Sequence, residues 1–75
     1  MKSDKILDAK GFACPMPIVK TKKTIDELQS GQILEVHATD QGAKNDFVGW
    51  TNTTGHKLLE CKEEDGVIKF WIQKR

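Results

Sequence analysis

One cysteine in this sequence lies in a setting that favours nucleophilic chemistry. Cys14 is followed by Pro15 and Pro17, and a helical pattern begins directly around them. Proline is tolerated in the first turn of a helix, where the amide hydrogen has no intrahelical acceptor. The sequence therefore predicts Cys14 as the N-cap, with Pro15 at N1 and Pro17 at N3. The positive end of the helix dipole would then favour the thiolate, which is the reactive form of cysteine.

The proposed cap position is unusual for a cysteine that has only a structural role. Cysteine caps a helix less well than serine, threonine, aspartate or asparagine, so its use there weakens the helix without structural benefit. With prolines on both sides, the amide of Met16 is the one first-turn donor expected near the sulfur. Most cysteines in small intracellular domains are simply buried. We interpret Cys14 instead as a nucleophile or as a carrier of a negatively charged group.

Length and composition limit the kinds of protein that this chain can be. Seventy-five residues predict a single domain, residues 1–75, with a simple two-layer core. The 12 basic and 11 acidic side chains argue against broad electrostatic binding to nucleic acid. No apolar run is long enough to span a membrane, and residues 1–5 lack the apolar segment of a secretory signal. Two cysteines do not make a disulfide framework, so we expect a cytoplasmic protein with reduced thiols.

The hydrophobic pattern predicts the element order β-α-β-α-β-β. Strands are expected at residues 5–9, 32–39, 56–63 and 67–73, and helices at 15–30 and 43–54. A Gly at position 31 is expected to follow the first helix, and Asp65-Gly66 is typical of a tight hairpin turn. The predicted fold class is α+β: a two-layer α/β sandwich in which two helices pack on one face of a four-stranded mixed sheet.

The segment that contains the cysteine-proline run resembles a known signature. Residues 7–17 read Leu-Asp-Ala-Lys-Gly-Phe-Ala-Cys-Pro-Met-Pro, and they are similar to the Leu-Asp-x-x-Gly-x-x-Cys-Pro-x-Pro run of the TusA (SirA-like) sulfur-carrier family. The resemblance continues through residues 31–34, 40, 46, 50 and 55–56 and the terminal hairpin, so it covers essentially the whole chain. It implies a two-layer sandwich with the same element order. The supporting motif residues beside Cys14 are Asp8, Gly11, Pro15, Met16 and Pro17.

The resemblance also implies an activity, which is sulfur transfer by a persulfide relay without a cofactor. In the family, the cysteine that matches Cys14 accepts a sulfane sulfur from a donor protein, often a cysteine desulfurase or a rhodanese. It holds this sulfur as a persulfide and passes it to a downstream acceptor protein. Family recipients include the machinery of tRNA thiolation and routes of sulfur oxidation or cofactor assembly. Free-standing domains of this kind usually act as monomers, and no membrane or direct nucleic-acid contact is expected.

Two sets of charged residues near Cys14 have both a functional and a structural interpretation. Asp8 either orients the Cys14 loop or, as we favour, accepts backbone amides beside its strand. A negative charge near Cys14 would raise the pKa of its thiol and oppose the dipole. The lysines of the loop and the first helix either form a docking patch or are simply solvated. These lysines are Lys10, Lys20, Lys22 and Lys23.

The remaining candidate residues are predicted to be structural. Cys61 is expected in the core, on the same strand face as Leu59. The spacing of His37, His56 and the cysteines lacks the close pairs typical of zinc ligands, so no metal site is expected. His56 is expected to have a structural or partner-contact role. Trp71 is expected on the outer face of the sheet, where neighbouring side chains partly cover it.

Two other classes of function remain open at the level of sequence. One is a non-catalytic RNA- or protein-binding regulatory module of the same fold, for which the near-neutral charge and few aromatic residues are unfavourable. The other is a thiol redox protein that uses Cys14 and Cys61, for which the C-x-x-C spacing is missing. The residues around 20–23 and 40–46 resemble a wider branch of the family. The sequence therefore predicts a sulfur carrier more firmly than a role in tRNA modification.

Overall fold

Four strands form one mixed sheet in the computed structural model, which describes residues 2–75. The strand order across the sheet is β1-β2-β4-β3; β1 and β2 are parallel, and β4 is antiparallel to both β2 and β3. The predicted α+β class and element order are confirmed, and Met1 of the predicted domain lies outside the described residues. The elements are β1 (Lys5–Ala9), α1 (Met16–Ile25), β2 (Ile33–Ala38), α2 (Ala43–Thr54), β3 (Lys57–Glu64) and β4 (Val67–Gln73).

The hydrophobic core lies between one face of the sheet and the two helices. Side chains of a strand point to opposite faces in turn, so alternate residues of β2 and β4 reach the core. Phe47 of α2 is fully buried and stacks on Phe70 of β4, with ring centroids 4.4 Å apart. Ile25 supplies the main buried contact from α1. Ala9 of β1 also belongs to this core. The residues of β2 and β4 that line it are Leu34, Val36, Ala38, Ile68, Phe70 and Ile72, and all of them follow the predicted alternation.

Helix α1 ends at Ile25, five residues before the predicted end. The amide hydrogens of residues 27 and 28 bond to carbonyls three residues earlier, so the chain tightens into turns instead of continuing the helix. Lys74 then donates to the carbonyls of Asp26 and Leu28, at 3.4 and 2.6 Å, and satisfies acceptors that a longer helix would use itself. Gly31 therefore lies beyond these turns. The prediction that it directly follows the first helix is wrong.

Helix α2 has the predicted bounds. Gly42 is its N-cap, and Gly55 ends it with a left-handed backbone conformation. Thr51 is buried on the core face, where its hydroxyl donates to the Phe47 carbonyl at 2.8 Å. A buried hydroxyl that is satisfied in this way does not weaken the core. Helix α2 thus gives a fixed platform, whose N-terminus lies at the edge where β1 and β2 end.

Strand β3 contains a bulge that sequence alternation did not predict. The pairing with β4 shifts between Leu58 and Glu60, so Leu59 is 38% exposed. Leu58 and Cys61 pack against the core instead. The prediction that Leu59 shares a face with Cys61 is wrong, because one extra residue reverses the alternation on either side of a bulge. The hairpin that follows has the predicted tight turn, with φ values of 52° at Asp65 and 79° at Gly66.

The face of the sheet opposite the helices has a polar network around one tryptophan. Trp71 is only 7% exposed, so it is more fully covered than predicted. Its indole N–H donates to the Glu35 carboxylate at 3.1 Å, and the same carboxylate accepts from the Ser3 hydroxyl and pairs with His37. These bonds hold the pKa of Glu35 below its usual value despite partial desolvation, which is the largest opposing effect. Trp71 therefore has a structural role in the free protein.

Candidate functional site

The loop that carries Cys14 is fixed to the ends of β1 and β2. Gly11 has φ of +84°, a region that side chains other than glycine rarely adopt. Its amide donates to the Thr39 hydroxyl at 2.9 Å. Asp8 accepts the amide of Lys10 at 3.0 Å, which is the local backbone role that we favoured for it. Gly11 and Asp8 therefore shape the loop, while the side chain of Cys14 is exposed.

The start of α1 is shifted by one residue from the predicted start. Pro15 is the N-cap, because its carbonyl accepts the amide of Val19 at 3.0 Å, and the first helical residue is Met16. Pro17 is then at N2, where its missing N–H leaves no helical bond unmade. The prediction that Cys14 is the N-cap, with Pro15 at N1 and Pro17 at N3, is wrong. Cys14 precedes the cap, and a cis peptide bond joins it to Pro15.

The predicted donor to the Cys14 sulfur has another partner. The amide of Met16 donates to the carbonyl of Ala13 at 2.9 Å, which closes a turn around Cys14. No side chain caps the helix start. The prediction that the Met16 amide is the donor near the Cys14 sulfur is therefore wrong. The dipole of α1 remains close to Cys14, but no amide of the first turn is directed at its sulfur by these contacts.

Two aspartates from a distant part of the chain meet Cys14. The amide of Cys14 donates to Asp40 Oδ2 at 3.2 Å. The pKa of the Cys14 thiol is raised, chiefly by a hydrogen bond from the side chain to Asp46, then by desolvation and by the charges of Asp46 and Asp40. We expected a thiolate favoured by the helix dipole. The acidic neighbours reverse that expectation, because they favour the thiol over the thiolate.

Sequence reasoning had named Asp8, and not these two aspartates, as the acidic group near Cys14. Asp40 and Asp46 lie 26 and 32 residues further along the chain, so no local spacing connects them to the cysteine. A signal was available in the predicted topology. Because β1 and β2 run in parallel, the loops after both strands lie at the same edge of the sheet. Asp40 in the second loop is therefore brought to Cys14 in the first.

Apolar side chains and one lysine border the cysteine loop. Phe12 and Met16 are each 40% exposed, and the ammonium of Lys20 lies 4.5 Å from the centroid of the Phe12 ring. This cation–π contact places Lys20 beside the loop. Lys22 and Lys23 are exposed in the last turn of α1, where positive charge complements the helix dipole. The lysines of the predicted patch therefore do not form one group: Lys20 lies beside the cysteine loop, and Lys22 and Lys23 lie in the last turn of α1.

Lys10, the fourth lysine of that predicted patch, is exposed in the loop itself. Together with Lys20 it belongs to the end of the molecule that carries Cys14. The other two lysines lie about 9 Å or more along the axis of α1 from its first residue, given the rise of a helix. A docking role is therefore better placed for Lys10 and Lys20 than for Lys22 and Lys23.

The second cysteine lies two strands away from the segment that binds the first. Cys61 lies on β3, which β4 separates from β2, whereas Cys14 is bonded to the segment that follows β2. Two strand spacings amount to about 10 Å, and the Cα atoms of bridged cysteines lie within about 7 Å. Both cysteines are free. The arrangement does not bring Cys14 and Cys61 together as a redox pair.

The two histidines lie in separate structural contacts. His56 Nδ1 accepts the amide of Arg75 at 3.0 Å, and its ring lies 5.3 Å from that of Trp50. Desolvation, followed by the charges of Arg75 and Lys74, lowers the pKa of His56. His37 pairs with Glu35 on the open face of the sheet. Across residues 2–75, no three histidine, cysteine or acidic side chains are grouped as metal ligands.

Comparisons with known proteins agree with this arrangement. The sequence model of the family described as Sulfurtransferase TusA matches residues 5–74. The chain is 69% identical over 74 residues to YrkI of Bacillus subtilis (strain 168), with 99% of both chains covered. It is 48% identical over 71 residues to the sulfur carrier protein TusA of Allochromatium vinosum, covering 95% of this chain and 93% of that protein.

A solved structure shows the same fold. The crystal structure of a SirA-like protein from Desulfitobacterium hafniense superposes with a TM-score of 0.82 at 28% identity, covering 92% of this chain and 95% of that one. The chain therefore belongs to the TusA family of sulfurtransferases. Family membership supports a sulfur-carrier role and does not favour the RNA- or protein-binding alternative. Within the described chain, no helix is both long and apolar enough to cross a membrane.

Proposed function

We propose that Cys14 accepts a sulfane sulfur from a donor protein, holds it as a persulfide and passes it to an acceptor protein. The observation that carries this proposal is the exposed thiol of Cys14 within the Cys-Pro-x-Pro run of a TusA-family chain. The loop around it is held by backbone contacts to Thr39 and Asp40, so the sulfur has a fixed place on an accessible surface. Two partners can reach the same atom in turn.

The transfer requires only the sulfur of Cys14 and a donor persulfide. The Cys14 thiol loses its proton to the donor protein or to solvent, and its sulfur attacks the outer sulfur of the donor persulfide. A new sulfur–sulfur bond forms on Cys14 while the donor's own sulfur–sulfur bond breaks, and the donor thiolate leaves with the bonding electrons. Passing the sulfur on repeats the same exchange with the acceptor as nucleophile. No cofactor of the protein takes part in either step.

The surface around Cys14 fits a protein partner. Phe12, Met16 and Val19 expose apolar area, and Lys10 and Lys20 add positive charge at the same end of the molecule. A donor of the cysteine desulfurase or rhodanese class and a separate acceptor protein would dock here one after the other. We further propose that residues 1–75 act as one monomeric domain. The free thiol suits the reducing cytoplasm.

Loading of the reduced protein tests the proposal. The protein is incubated with a cysteine desulfurase and cysteine, and its intact mass is measured. We expect a gain of about 32 Da, one sulfur atom, that peptide mapping assigns to Cys14. Cys14→Ser should abolish the gain, and the matched control Cys61→Ser should retain it. Equal loading of Cys14→Ser and wild type would contradict the proposal.

A further inference from the structure

Two carboxylates, from the loop before α2 and from its first turn, lie near the Cys14 loop. Asp40 Oδ2 lies 3.2 Å from the Cys14 amide nitrogen. The same atom and Asp46 Oδ2 lie 3.6 and 4.0 Å from the position that a Cβ at Gly42 would occupy. Both aspartates are half-buried, whereas Cys14 is exposed. The carboxylates therefore face one small region, which glycine at position 42 leaves open.

The start of the helix holds both aspartates in place. The carbonyl of Asp40 accepts the amide of Ala43 at 3.1 Å, and the amide of Asp46 donates to the carbonyl of Gly42 at 3.2 Å. Asp46 is also the acidic residue of the first turn of α2. The position of both carboxylates beside the cysteine loop is thus a consequence of how α2 begins.

The charges that act on the Cys14 thiol are all acidic. The Asp46 hydrogen bond raises the thiol pKa most, and the charges of Asp46 and Asp40 add to it. Other charged groups of the neighbouring elements have different contacts: Asp8 at the end of β1 binds the amide of Lys10, and Lys20 of α1 lies over the Phe12 ring. The surroundings therefore favour a neutral sulfur group that can donate a hydrogen bond.

The same aspartates would act differently on a persulfide at Cys14. It is more acidic than a thiol, so at neutral pH the loaded sulfur is an anion with no hydrogen to donate. The anion loses the Asp46 hydrogen bond and is repelled by both carboxylates. We propose, on the basis of the proposed carrier function, that Asp46 and Asp40 are positioning residues that stabilise the empty carrier relative to the loaded one. Sulfur is then accepted slowly without a docked donor and is released readily.

Two asparagine variants and a matched control test this role. Asp46→Asn and Asp40→Asn remove one charge each and keep the side-chain shape, and Asp26→Asn removes an exposed charge at the other end of α1 that has no part in the proposal. All are made in a Cys61→Ser background, and their folding is verified by circular dichroism. The rate of Cys14 alkylation by iodoacetamide is then measured from pH 6 to 10. This pH profile reports the thiol pKa, which a purely structural role would not move.

We expect Asp46→Asn to lower the apparent pKa of Cys14 by about one unit, Asp40→Asn by less, and Asp26→Asn not at all. The thiolate fraction at pH 7 then rises about tenfold in Asp46→Asn, and alkylation rises about threefold because a less basic thiolate is a weaker nucleophile. If Asp46→Asn and Asp40→Asn both titrate like the wild type, the inference is overturned.

Loading by a small inorganic polysulfide separates this inference from the carrier function. The polysulfide supplies sulfane sulfur without a docking surface, and the loaded fraction is read from the intact mass at equilibrium. We expect several-fold more loading of Asp46→Asn than of wild type or Asp26→Asn. Wild-type loading with no difference between the variants would overturn the inference and leave the carrier function standing. Shifted thiol pKa values with no sulfur on any variant, even from a desulfurase, would overturn the carrier function and the preference for the empty carrier together.

Discussion

The two cysteines of this chain have raised pKa values for different physical reasons. At Cys14, which is exposed in a loop, the main cause is a hydrogen bond to Asp46, and nearby carboxylate charges add to it. At Cys61, which is half-buried on β3 against the core, the main cause is desolvation. Lys44 and Glu63 act on Cys61 in opposite directions. The pKa of the Cys14 thiol is therefore raised by specific acidic neighbours, and the pKa of the Cys61 thiol by packing against the core.

Under the proposed function, this difference explains why a docked partner would act on the thiol of Cys14 and not on that of Cys61. A protein that docks at Cys14 can place a cation beside Asp46 or remove the thiol proton, because those groups lie at the surface. No docked partner changes the packing of Cys61 without opening the fold. A raised pKa by itself consequently does not distinguish a functional cysteine from a structural one, whereas its cause does.

The largest expected difference between the two cysteines is in the free energy of unfolding when each is replaced by alanine. Cys61→Ala removes a sulfur that packs against the core, so we expect the free energy of unfolding to fall by about 1 kcal/mol. Cys14→Ala removes an exposed side chain and should change it by less than about 0.5 kcal/mol. Urea denaturation followed by tryptophan fluorescence measures both values. A larger loss at Cys14 than at Cys61 would mean that Cys14 is the structural thiol.

Salt should produce a smaller effect that still distinguishes the two sites. Screening weakens the repulsion between an exposed thiolate and the charges of Asp40 and Asp46. We expect 0.5 M potassium chloride to lower the apparent pKa of Cys14 by about 0.3 units, on the order of the screening of exposed charges. Cys61 should respond less, because its pKa is raised mainly by burial. The measurement is the pH profile of alkylation in Cys61→Ser and Cys14→Ser at two salt concentrations; equal salt shifts in the two variants would contradict the contrast.

Local patterns predicted most of the fold and only part of the site. The bounds of β1 follow from its short apolar run and the end of α2 from Gly55, and both predictions are confirmed. The end of α1 depends on Lys74, which supplies hydrogen bonds from the far end of the chain, and the exposure of Leu59 depends on a bulge. Neither is encoded in the spacing of neighbouring residues.

The same distinction applies at the cysteine. The Cys-Pro-x-Pro run identified Cys14 as the residue of interest and placed it beside a helix start. The thiol pKa could not be derived from that run, because Asp40 and Asp46 reach Cys14 only through the parallel pairing of β1 with β2. Sequence patterns therefore located the candidate cysteine, while the tertiary fold determines the charges that surround its thiol.

The most direct measurement of the central claim follows sulfur both onto Cys14 and off it. The protein is loaded by a cysteine desulfurase with cysteine, separated from both, and treated with cyanide, which removes the outer sulfur of a persulfide as thiocyanate and leaves the thiolate. We predict about one thiocyanate per loaded molecule from wild type and from Cys61→Ser, with the mass returning to that of the reduced protein. Cys14→Ser should yield none. Thiocyanate from Cys14→Ser at the wild-type level would contradict the assignment of Cys14 as the sulfur carrier.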